Sequence, residues 1–259
     1  MSHVLHHIGQ LATCTPGAPQ SDAGLIENAA LVIENQHIAW AGPESDLPER
    51  YSHLQQHDCE GKLIIPGLVD CHTHLCFGGW RGDEFAQRIA GASYQEIAAA
   101  GGGIRSTVAA TRAASADELK NKARNALDQA LALGVTTMEC KSGYGLDHEN
   151  ELKQLSVYRD LDREHAIDLI PTFLGAHIVP PEYADDRDAY IELLCEEMLP
   201  DIAAKNLAQF CDVFVEENAY SLDEARRILS KAAKLGLGLK IHADQLSAGG
   251  GAELAAEMN

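Results

Sequence analysis

Leu63-Ile64-Ile65-Pro66-Gly67-Leu68-Val69-Asp70-Cys71-His72-Thr73-His74 is an apolar run that closes on two histidines one residue apart. Strand side chains alternate between faces, so residues two apart point the same way. His72 and His74 are therefore expected to aim two imidazoles at one point, about 6–7 Å apart along the strand. Neutral imidazole is the commonest protein ligand for zinc and also suits iron and nickel. The pair reads as half of a metal site on a buried strand; for His-x-His alone, a chance surface pair is the alternative. By the same alternation Cys71 turns to the opposite face and is expected in the core. A third histidine closes another apolar stretch, Leu237-Gly238-Leu239-Lys240-Ile241-His242-Ala243-Asp244.

Outward from that run the chain has two rhythms. Residues 1–62 are short strand-like segments broken by turn residues, among them 29–34 and 37–41 joined by Asn35-Gln36. They are expected to form a small β module. Residues 63–259 alternate apolar strand candidates (67–75, 135–141, 168–176, 210–216 and 238–243) with helical patterns. Ser115-Ala116-Asp117-Glu118 and Ser221-Leu222-Asp223-Glu224 carry the capping-box spacing, and Gly134 and Gly236 supply helix stops. Such alternation predicts an α/β unit of parallel strands in right-handed crossovers. Residues suited to chemistry sit at the C-terminal ends of the strands: His72 and His74, Lys141 to Tyr144, His177, Glu216 and His242. That is where (β/α)8 barrels and open doubly wound sheets both place ligands. A ring of functional ends favours the barrel, of which this chain would supply about five of eight strands. The expectation is then a piece of a longer protein, or an architecture short of a full barrel.

Composition narrows the partners. Of 259 residues, 20 are Lys or Arg and 39 are Asp or Glu, a net charge of −19 that disfavours nucleic acid and anionic membranes. Seven scattered cysteines form no C-x-x-C pair, and no apolar stretch reaches the length of a membrane span, so a cytoplasmic location is expected. A small molecule is the expected ligand; the one protein partner carried forward is a second copy in a homodimer.

Pro66–His74 is similar to the first-strand signature of the amidohydrolase superfamily. Within it the chain resembles the imidazolonepropionase family through Phe77-Gly78-Gly79-Trp80-Arg81-Gly82-Asp83-Glu84-Phe85, Ala100–Ile104, Glu139-Cys140-Lys141-Ser142-Gly143-Tyr144-Gly145-Leu146, Thr172–His177 and Lys240–Gln245. The resemblance implies a metal-dependent TIM barrel with a small β-sandwich built from both chain ends. It implies hydrolysis of 4-imidazolone-5-propanoate to N-formimidoyl-L-glutamate with one zinc or iron ion. It implies His72, His74 and His242 as metal ligands, and Arg81, Tyr144, His177, Gln245 and Tyr94 as substrate contacts. The family's further Asp ligand and a further active-site His come from later strands and have no counterpart up to Asn259. Some relatives carry Glu at the position of Gln245, whose neutral amide only hydrogen-bonds.

Each residue also has a plainer role available. His177 is expected to donate a hydrogen bond to the oxyanion, catalytically, or else to cap a loop. Arg81 suits a propionate through paired hydrogen bonds, or a surface salt bridge. Tyr144 is presented by flanking glycines or packs as an ordinary aromatic. Glu216 is either a partner of a ligand histidine or a rim residue. Gly101-Gly102-Gly103 lacks a following G-K-[ST], so it reads as a loop rather than a phosphate cradle. Another cyclic amide hydrolase or deaminase of the superfamily, or an inactive fragment of one, are the competing functions.

Overall fold

Asn35 and Gln36 both adopt positive φ, +51° and +69°, the left-handed pair that a two-residue hairpin requires. They join β2 (Leu25–Glu34) to β3 (His37–Pro43) in antiparallel register. The computed structural model describes residues 2–258 apart from 16, 18–22, 94, 95, 97–101 and 218. The chain divides into two units, Met1–Gly67 and Leu68–Asn259.

In the first unit, β1 (His3–Ala12) pairs with β2, with β4 (Gln55–Asp58) and with β5 (Leu63–Ile64). Alternation sends Leu31 into one apolar cluster with Ile8, Leu11 and Ala29, and Val32 into another with Val4 and Tyr51. Among the described residues this unit is one mixed five-stranded sheet. One feature differs from the sequence reading. The expected boundary at 62/63 moves to 67/68, because Leu63 and Ile64 pair with Gln10 and Leu11 of β1.

The second unit runs β6 (Leu68–Thr73), α1 (Gly82–Ile89), α2 (Ile104–Ala113), α3 (Ala116–Ala132), β7 (Val135–Lys141), α4 (His148–Glu164) and β8 (Asp168–Ala176). It continues with α5 (Arg187–Leu193), α6 (Leu199–Ala204), β9 (Phe210–Val213), α7 (Leu222–Lys234), β10 (Gly238–Leu239) and α8 (Gly251–Glu257). The strands are parallel, in the order β10-β9-β8-β7-β6. A doubly wound sheet reverses its order at a switch point; here the order follows the chain throughout, the winding of a barrel. Ser115 and Ser221 each form a full capping box, and Gly134 and Gly236 follow the helix ends at φ +91° and +83°.

β6 is an edge of this sheet among the described residues, which corrects two expectations. Val69 is 65% exposed rather than buried. Cys71 is exposed rather than in the core, and the register of β6 shifts between Asp70 and Thr73, which breaks strict alternation. Cys76, beyond the strand, is fully buried.

One side chain ties the strand ends to the helices. The hydroxyl of Tyr158 on α4 accepts from the Cys76 amide at 2.9 Å and donates to the Lys141 carbonyl at 2.8 Å, with the residue fully buried. Tyr158→Phe strands both partners, at about 1–3 kcal/mol for each group left unsatisfied. Its urea unfolding should show a loss of about 2 kcal/mol or more; loss of the Ser221 cap in Ser221→Ala should cost about 1 kcal/mol. A Tyr158→Phe midpoint equal to wild type would contradict this.

Candidate active site

The C-terminal ends of β6, β7, β8 and the segment after β10 bring four histidines together. His72 lies on β6 and His74 just beyond it, with ring centres 6.2 Å apart. His242 follows β10, held by its amide on the Val213 carbonyl at 2.9 Å and its carbonyl on the Val215 amide at 2.7 Å. Its Nε2 lies 3.0 Å from Nε2 of His72. His177, after β8, stacks on His74 at 5.1 Å between centres, and Tyr144 sits 4.9 Å from His74 and 5.4 Å from His177.

The Nδ1 atoms of three of these rings are tied. His74 Nδ1 donates to the Ser142 carbonyl at 3.1 Å, His177 Nδ1 to the Gly143 carbonyl at 2.9 Å and His242 Nδ1 to Asp212 Oδ2 at 2.7 Å. Burial pushes His74 down to about 3 and His177 down to about 4, so both are neutral at pH 7. Burial, then His242, lowers His72 as well. A neutral imidazole has one donor and one acceptor nitrogen. The Nε2 atoms of His74 and His177 are therefore left as lone pairs.

This donor set suits a borderline metal ion. Two imidazoles on one tetrahedral zinc have nitrogens ~3.3 Å apart and ring centres ~5 Å apart. His72 and His242, with Nε2 atoms at 3.0 Å and centres at 4.6 Å, lie close to that spacing, and His72 and His74 at 6.2 Å lie beyond it. Among the described residues no group of three or more His, Cys, Asp or Glu is drawn together tightly enough to hold an ion. The His72–His242 pair fits the group, and His74 stands outside that spacing.

Beneath the histidines is a balanced set of buried charges. Lys141 donates to Glu139 at 2.9 Å and to Asp212 at 2.8 Å; Thr172 donates to Glu139 at 2.7 Å, and Lys240 pairs with the same carboxylate. Burial alone would raise Asp212, but His242 and Lys141 outweigh it and hold the carboxyl below its ordinary value. Glu139 Oε2 and Asp212 Oδ1 remain buried without a partner. Both residues line an open cavity of about 610 Å³ with Cys71, His72, His242 and Gln245. A second cavity of about 310 Å³ is lined by His74, Phe77, Trp80, Arg81, Thr107 and Tyr144. Lys122 sits over the Phe77 and Trp80 rings at 3.4 and 4.0 Å.

The structure places the remaining candidates as follows. Arg81 precedes α1, partly exposed, with Nη1 4.0 Å from Glu84. Gln245 is exposed at the rim of the larger cavity. Glu216 accepts from the Leu246 amide at 2.9 Å and from the Ser247 hydroxyl, so it fixes the loop after His242. Gly103 donates to Glu84 at 2.9 Å. Tyr94 and Gly101 lie outside the described residues. Sequence reasoning missed Asp212 and Glu151. The only trace of Asp212 is an acid between apolar residues of β9. That of Glu151 is its spacing with Gln154, Leu155 and Tyr158 on the buried face of α4.

Parallel strands wound in chain order, with a His-x-His at the end of the first, define a fold of the TIM-barrel type. The solved 5-methylcytosine deaminase of Klebsiella pneumoniae aligns with 100% of this chain and 55% of its own at a TM-score of 0.64 and 15% identity, a likeness of fold. The amidohydrolase family model matches residues 63–257, and the chain belongs to that family. The imidazolonepropionase of Cupriavidus metallidurans is 51% identical over 253 residues, which are 98% of this chain and 60% of that protein. That of Streptococcus sanguinis is 49% identical over 245 residues, 93% of this chain and 58% of that protein. The chain thus spans about 60% of the length of the curated relatives it matches.

The lowered histidines make the metal-stripped chain acid-sensitive. Below the ordinary 6.5 the unfolded chain protonates His74 and His177, while the fold holds them neutral to about 3 and about 4. The unfolded state then binds more protons, so stability falls as pH is lowered through that window. His177→Asn should flatten the fall between pH 6.5 and 4 in urea titrations with chelator present; an unchanged slope would contradict the assignment.

Proposed function

We propose that the site belongs to an imidazolonepropionase, which opens the ring of 4-imidazolone-5-propanoate to N-formimidoyl-L-glutamate. The observation that carries this reading is the His74–His177–Tyr144 cluster, of which His74 and Tyr144 share one cavity with Arg81, while His72 and His242 meet beside it. The 51% identity to the Cupriavidus metallidurans enzyme supports the substrate.

In this reading His72, His74 and His242 would hold one divalent ion, zinc or iron, which when bound would supply a Lewis acid that lowers the pKa of a water toward neutrality. Arg81 grips the propionate with paired hydrogen bonds. Tyr144 stays protonated, because burial raises its phenol, and donates to a substrate oxygen. His177 takes a role opposite to the one its sequence suggested. With Nδ1–H on the Gly143 carbonyl, its neutral ring has no proton to give from Nε2. That nitrogen accepts instead, from a ring N–H of the substrate or from the attacking water, whose proton it then passes to the nitrogen that departs as the C–N bond breaks. Gln245 hydrogen-bonds without moving a proton.

The test is incubation with imidazolone propanoate, reading equilibrium binding alongside turnover because the chain spans 60% of the relative's length. Saturable binding is expected, with turnover that a chelator abolishes and zinc or iron restores. Arg81→Lys should weaken binding by about tenfold or more, since a charge-assisted hydrogen bond is worth about 1.5–3 kcal/mol. Binding of a dihydropyrimidine or purine in preference to imidazolone propanoate would overturn the reading.

A further inference from the structure

Glu151 is fully buried, and no cation pairs with it among the described residues. Its carboxylate instead gathers the amides of one loop: Gly143 at 3.1 Å, Gly145 at 2.9 Å and Leu146 at 2.8 Å. The Ser142 hydroxyl hydrogen-bonds it as well. Burial pushes this carboxyl above its ordinary value, and the four donors offset only part of that rise. Its place in the first turns of α4 adds the favourable end of the helix dipole.

Other peptide groups of the same loop are held as well. The Tyr144 amide donates to Gln154 at 3.3 Å. Arg112 donates to the Gly145 carbonyl at 2.7 Å and to the Leu146 carbonyl at 3.1 Å. The carbonyls of Ser142 and Gly143 are those that take the Nδ1 protons of His74 and His177. Each peptide plane is rigid: the one that turns the Gly143 amide toward Glu151 turns the Ser142 carbonyl toward His74, and the next, whose Tyr144 amide meets Gln154 between two amides bound to Glu151, turns the Gly143 carbonyl toward His177. The path admits little else. Gly143 has φ +99°, and a Cβ there would lie 2.8 Å from the Leu174 carbonyl and 3.1 Å from His177 Nδ1. Leu146 is held at φ +53°, a region that costs a non-glycine residue about 1–2 kcal/mol.

We propose that Glu151 is the positioning residue of the site: through the Ser142–Leu146 loop it sets which nitrogen of His74 and of His177 carries the proton, and where Tyr144 stands. It touches no reacting atom. The claim rests on the proposed function only for what the positioned groups then do.

The experiment is long-range 1H–15N spectroscopy of the metal-free chain at neutral pH, comparing wild type with Glu151→Gln and Glu151→Asp. Wild type should show both histidines as single Nδ1–H tautomers. Glu151→Gln sets an NH2 against the loop amides and should convert both to mixtures with Nε2–H. Zinc affinity should fall 10–100-fold, the usual effect of losing an outer partner of a ligand. Glu151→Asp, which keeps the charge, should recover part of both. A folded Glu151→Gln with lowered Tm but wild-type tautomers and zinc affinity would overturn the proposal. If that variant does not fold, wild-type amide exchange decides: Gly143, Gly145 and Leu146 should be strongly protected, and exchange at exposed-loop rates would overturn it. A wild type that ignores imidazolone propanoate sinks the functional reading and leaves the tautomer result standing.

Discussion

Fixed acceptors on the Nδ1 atoms of His74, His177 and His242 are the constraint from which the rest of the site follows. A neutral imidazole whose Nδ1–H is occupied presents a lone pair at Nε2. Each acceptor is itself held. The carbonyls belong to a loop whose amides converge on Glu151, and Asp212 is gripped by Lys141, which Glu139 shares. The site is therefore a property of peptide planes and buried charge pairs as much as of the histidines.

Charge balance explains how so many ionised groups stay inside. Glu139 and Asp212 face Lys141 and Lys240, two of each sign, so the buried set is neutral before any ligand arrives. One partner removed from such a set leaves an uncompensated buried charge, which costs more than the pair contributes. On a chain of net charge −19, an anionic substrate needs a local cation at the entrance. Arg81, exposed on the wall of the smaller cavity, is the cation we propose for that place.

Local signals in the sequence carried a long way. Apolar runs at 135–141 and 168–176 coincide with β7 and β8, and two S-x-x-E spacings became complete capping boxes. These are short-range effects, decided within a turn or a strand. What was illegible depends on partners far along the chain. Cys71 and Val69 are exposed because β6 lies at a sheet edge, which alternation within the strand cannot show. Asp212 matters through His242, 30 residues on. His177 makes the loop contact that stood as its plainer role, on the Gly143 carbonyl 34 residues earlier. Tyr94 lies outside the described residues and stays untested by the structure.

X-ray absorption of the chain loaded with one equivalent of zinc tests the central claim most directly. The account predicts a first shell with imidazole scattering from His72, His74 and His242, reduced by one such ligand in His242→Ala. An oxygen-only shell, or a spectrum unchanged by that substitution, would contradict it.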